Sequence, residues 1–161
     1  MTQILRMYAD LKHQLRDVLN SSAIVRPIRV IWVLAKRESK VRKVRPPISR
    51  EDGILEKYPW GEIRWIWNSQ IDENAEQTMG HVVIYPGKRN TFHAHPNCEE
   101  LLHVLAGECD HWVGDEKYHL KPGMTIAIPR ELEHYAEVTS SEPLRAIIFY
   151  SSPDRKTNIK E

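Results

Sequence analysis

Apolar side chains recur along this chain in two rhythms. Over residues 3–19 they fall at steps of three and four: Ile4, Leu5, Tyr8, Leu11, Leu15, Val18 and Leu19. That period lines one face of an amphipathic helix, which Asn20-Ser21-Ser22 ends. Residues 28–35, rich in Val and Ile, predict a short strand. Pro46-Pro47 then marks a linker.

From Gly53 onward the rhythm shortens. Strand-like runs are expected at Glu62–Trp67, His81–Tyr85, Thr91–His95, Glu100–Leu105, His111–Val113, Lys117–Leu120, Thr125–Ile128, His134–Val138 and Leu144–Ser151. Turn residues divide them: Pro86-Gly87, Gly107, Gly114-Asp115, Pro122-Gly123, Pro129 and Pro143. Short strands at such spacing predict an all-β sandwich or barrel. The organisation expected is an N-terminal extension over 1–48 and a barrel domain over 49–161.

Charge sharpens that division. Residues 1–50 hold twelve Lys/Arg against three Asp/Glu, and residues 51–161 hold eleven against nineteen, so a net +1 conceals halves of +9 and −8. The run Lys36 to Arg45 holds six basic residues and Glu38. It lacks aromatic interleaving and a recognition helix, so it reads as a solvated linker or an arm on an acidic neighbour rather than a nucleic-acid site. At 161 residues the chain can bury a core without staples. Cys98 and Cys109 are too few for a disulfide framework. Residues 1–20 are charged throughout, and the apolar stretch Ile28 to Ala35 is broken by Arg29 and too short to span a bilayer. A cytoplasmic protein is expected.

The chemistry concentrates in four residues: His93, His95, Glu100 and, farther on, His134. Imidazole and carboxylate ligate the same divalent first-row metals. Two histidines separated by one residue on a strand share a face. The run Gly87-(x)5-His93-x-His95-(x)4-Glu100-(x)6-Gly107 resembles the first motif of the cupin superfamily along its whole length. Gly114-Asp115, Leu120-Lys-Pro122-Gly123 and Ile128-Pro129, leading to His134, are similar to the second. The resemblance covers roughly residues 60–150.

That resemblance implies a jelly-roll β-barrel, here with an N-terminal α-helical and basic extension. It implies one divalent metal held by His93, His95, Glu100 and His134. Glu99 competes with Glu100, and the six-residue interval to Gly107 favours Glu100. Met124 and Val138 stand where older versions of the second motif carry an acidic residue and an Asn. Neither position is a ligand in the family, and Val138 argues against a close germin or oxalate-oxidase relative.

Three neutral imidazoles and one carboxylate suit Fe, Mn or Ni with open coordination positions, and Zn with fewer. A metal-dependent enzyme acting on a small oxygenated molecule is expected, of dioxygenase, isomerase or lyase type, with a lean toward an Fe(II) dioxygenase from family breadth alone. The alternative is a non-catalytic module that binds a sugar or small acid.

Other residues are weighed beside these. His103 lies three positions after Glu100 and so on the opposite strand face. His81 and His111 either line the barrel, as groups that orient a ligand or shuttle a proton, or serve only packing. His13 and His119 read as surface residues. Cys98 is either a reactive thiol beside the site or a small packing residue. Trp60, Trp65 and Trp67 either floor an apolar pocket or pack an edge. Leu101 and Leu105, opposite in parity to Glu100, predict a homodimer.

Overall fold

The computed structural model describes residues 44–160. The helix expected over 3–19, the strand over 28–35 and most of the basic run lie outside them. The barrel unit spans Pro46–Glu161. Among the described residues the only helix is one turn of 3₁₀ helix at Arg50–Asp52, and none is long and apolar enough to cross a membrane.

Eleven strands follow: β1 (Ile54–Tyr58), β2 (Gly61–Trp67), β3 (Thr78–Ile84), β4 (His93–Ala94), β5 (Glu100–Ala106), β6 (Cys109–Val113), β7 (Glu116–Leu120), β8 (Thr125–Ile128), β9 (His134–Val138), β10 (Leu144–Tyr150) and β11 (Asn158–Ile159). They form a six-stranded sheet in the order β1-β2-β3-β10-β5-β8 and a five-stranded sheet in the order β11-β4-β9-β6-β7. All pairings are antiparallel.

Alternation explains which face each strand buries. Leu144, Ala146, Ile148 and Tyr150 on β10 are buried, as are Glu100, Leu102 and Val104 on β5. From the other sheet, Cys109, Ala136 and Val138 pack into the same apolar cluster. The two sheets thus share one core.

Eight of the nine expected strands fall where the sequence pattern placed them, with ends shifted by at most a few residues. The Thr91–His95 strand is corrected: only His93–Ala94 pairs, and Pro96, which has no N–H to donate, follows at once. Two strands, β1 and β11, carry no legible pattern. β1 mixes Ile54 and Leu55 with Glu56 and Lys57 at the sheet edge, and β11 is two residues long.

Candidate metal centre

Four strand ends deliver the four side chains. His93 on β4 and His134 on β9 are cross-strand partners. His95 sits just past the end of β4, and Glu100 is the first residue of β5. Their ligand atoms all lie within 4.8 Å of one another. His95, Glu100 and His134 are buried, and His93 is half-buried. Glu99 is exposed, with its backbone N–H donating to Ser151 Oγ at 2.9 Å. Parity therefore turns Glu100 inward and Glu99 out.

Each imidazole is fixed by a backbone carbonyl. His93 Nδ1 lies 2.6 Å from Thr91 O, His95 Nδ1 2.8 Å from Lys156 O, and His134 Nδ1 2.9 Å from Leu132 O. A carbonyl only accepts, so each Nδ1 carries the proton, and in a neutral ring Nε2 keeps its lone pair. His95 Nε2 and His134 Nε2 lie 3.1 and 3.2 Å from the same oxygen, Glu100 Oε2. A carboxylate oxygen also only accepts. Acceptors facing one another in a buried site need either protons or a cation between them. Protons alone would put two imidazolium ions on one carboxylate oxygen. A divalent cation satisfies all the lone pairs at once, and carbonyl-oriented histidines are the usual support for such sites. The cluster fits a divalent metal site.

The titration behaviour follows from this crowding. Burial alone would raise the Glu100 carboxyl; hydrogen bonds from His134 and His95, and their charge, instead hold it well below the usual carboxylate range. Burial, then repulsion from His134, lowers His93 to about 4 against the pull of Glu100. Burial also lowers His134, but its hydrogen bond and attraction to Glu100 outweigh this and raise it above 6.5.

His93, Glu100 and His134 open on a chamber of about 180 Å³. Its walls include Ile63, Val82, Ile84, Leu102 and Ile148. Tyr58 and Trp60 stack there with centroids 4.7 Å apart and planes 4° from parallel. The apolar-floor reading thus holds for Trp60, whereas Trp65 is a core residue and Trp67 is half-buried.

His111 lines the chamber, 1% exposed, its ring stacked on His134 at 6.0 Å. Burial lowers it to about 4, and its Nδ1 has no hydrogen-bond partner. His103 faces away and bonds Thr125 Oγ1 at 2.8 Å. His81 is half-buried outside the chamber lining. His119 is a surface residue held between Asp110 and Glu108. Cys98 is fully buried in the apolar cluster, and burial raises its thiol, as expected of a packing residue. His13 lies outside the described residues.

Sequence reasoning missed the contribution of Tyr150 and of the segment after it. Tyr150 ends the inward row of β10, so parity alone would have found it. Burial and the Glu100 charge hold its hydroxyl well above the usual 10, so it remains a donor. Arg155, Thr157 and Ile159 also line the chamber, and no local period marks them.

The cupin domain family matches residues 80–150, which hold all four side chains. The chain belongs to the cupin superfamily.

Among curated relatives, this cupin is 26% identical over 105 residues to an uncharacterized protein of Methanocaldococcus jannaschii, covering 65% of this chain and 78% of that one. It is 32% identical over 93 residues to Protein SchB of Streptomyces halstedii, covering 58% of this chain and 67% of that one. Among solved structures, the Bacillus subtilis oxalate decarboxylase, studied for its Mn(II) centres, superposes with a TM-score of 0.64 at 17% identity. That match covers 68% of this chain but only 30% of the decarboxylase, so the cupin spans about a third of its length. Such a likeness carries the fold alone.

Proposed function

We propose that this cupin is a divalent-metal-dependent enzyme acting on a small oxygenated molecule, with His93, His95, Glu100 and His134 as the metal ligands. The observation that carries the reading is the shared Glu100 Oε2, approached by two Nε2 atoms whose opposite nitrogens are tied to carbonyls. Bound there, a divalent ion supplies Lewis acidity to substrate oxygens. The apolar walls exclude water and orient the substrate. Tyr150, kept protonated, donates a hydrogen bond toward charge that develops near Glu100. His111, kept neutral by burial, forms part of the chamber wall beside His134.

Elemental analysis of protein purified without a chelating tag tests this reading. One divalent ion per chain is expected. Iron would support dioxygenase chemistry; manganese, nickel or zinc would support isomerase or lyase chemistry. A metal-free protein that takes up none of these ions would end the proposal.

Two observations support the homodimer. Leu101 and Leu105 stand outward on β5, 39% and 44% exposed. Register also sets Met79, Phe149, Leu101 and Ala127 abreast across four strands. Light scattering of wild type and Leu101→Lys tests it: a dimer is expected to become a monomer, and a wild-type monomer would refute it.

A further inference from the structure

Apart from histidines, the chamber lining holds two ionisable side chains of fixed charge, Glu100 and Arg155. Glu100 is committed to His95 and His134. Arg155 plays no part in the metal reading. Its guanidinium carbon lies 4.6 Å from the centre of the Trp65 ring and 5.2 Å from that of Tyr150. One N–H donates to Thr157 Oγ1 at 2.5 Å. Among the described residues no carboxylate pairs with it. A guanidinium has five N–H donors in a planar fork. Stacking occupies its face and leaves most of its edge free. Its charge is felt at Tyr58, Cys98 and Tyr150, where it opposes the larger effect of burial.

An unpaired guanidinium at a chamber whose only carboxylate, Glu100, is already committed to two histidines is a site for a planar anion. Size narrows the class further. An apolar cavity of about 150 Å³ holds a benzene molecule, and this chamber is about 180 Å³.

We propose that Arg155 selects the substrate, which is a monocarboxylate about the size of a single ring. Its carboxylate meets the Arg155 fork, and its apolar body fills the chamber toward the quartet. The inference rests on the metal-enzyme reading for the reaction that follows. The carboxylate preference itself needs no metal.

The test uses the full chain, both chelator-treated and Mn(II)-loaded, with benzoate and its neutral isostere benzamide as probes in calorimetry. Wild type is expected to prefer benzoate by about tenfold or more. Arg155→Gln should abolish that preference while leaving benzamide and Mn(II) binding unchanged, and Arg155→Lys should keep only part of it. Equal affinities in wild type, no benzoate binding, or a preference that survives in Arg155→Gln would each overturn the proposal. If Arg155→Gln does not fold, the wild-type contrast and Arg155→Lys decide. A wild type that keeps the preference but takes up none of Fe(II), Mn(II), Ni(II) and Zn(II) would refute the metal reading and leave this one standing.

Discussion

His93 and His134 are direct cross-strand partners, and their ring centroids lie 4.3 Å apart. One comes from the first motif and the other from the second. The pairing of β4 with β9 therefore also closes the candidate metal centre, and binding of a divalent ion there would couple stability to metal affinity.

Removing one donor should remove the metal. In His134→Ala and Glu100→Gln, metal content after dialysis against Mn(II) is expected to fall from one ion per chain to near none. Glu100→Gln preserves size, so its loss reports charge and donor chemistry rather than a cavity. Undiminished metal content in both variants would place the ion elsewhere.

Chelation should destabilise the wild type. A ligand at a hundred times its Kd stabilises by about 2.7 kcal/mol, which for a domain of this size is roughly 10 °C in Tm. Thermal melts with Mn(II) and with a chelator should differ by about that much, and the His134→Ala melts should not differ.

The metal-free protein should lose stability on acidification between pH 6.5 and about 4. His111 and His93 are lowered to about 4 when folded, so the stability they confer is present above pH 6.5 and lost as pH falls through the folded value. For His111 the difference is about 3 kcal/mol. His134 runs the other way: its contribution is complete below pH 6.5 and is lost as pH rises through its raised value. Glu100 acts lower still, losing its contribution only as pH falls through its depressed value. Urea melts across this range should show a flatter profile for His111→Gln. An unchanged slope would mean that His111 does not titrate as placed.

Two glycines separate strain from collision. Gly107 has φ +73°, and a Cβ there would meet Pro143 O at 2.6 Å and Leu144 Cα at 2.9 Å. Gly123 has φ +86° with nothing within 4 Å. Gly123→Ala should cost about 1 kcal/mol of backbone strain. Gly107→Ala adds a backbone clash and should cost roughly 3 kcal/mol in the same urea assay.

Much of the site was legible in the order of residues. The resemblance to the two cupin motifs brought Glu100 and His134 together, and the six-residue interval to Gly107 favoured Glu100 over Glu99. Parity set Leu101, His103 and Leu105 on the face opposite Glu100, because successive side chains of a strand alternate. His111 was undecided because bulges are common in such strands, so parity along the sequence does not fix which face a side chain takes. Arg155 and Lys156 were invisible, since nothing periodic surrounds them.

What the sequence determined by itself was the all-β texture, the turns and the identity of the four converging side chains. The texture and the turns depend on residues within a few positions of one another, and the four side chains were joined by the resemblance of two separate motifs to those of the cupin superfamily. The tertiary structure alone decided that Lys156 O fixes the tautomer of His95, that His111 faces the chamber, and that Arg155 lies over Trp65 and Tyr150. These contacts join segments far apart in the chain. Sheet register and the return of β11 onto β4 create them, and no local pattern encodes either.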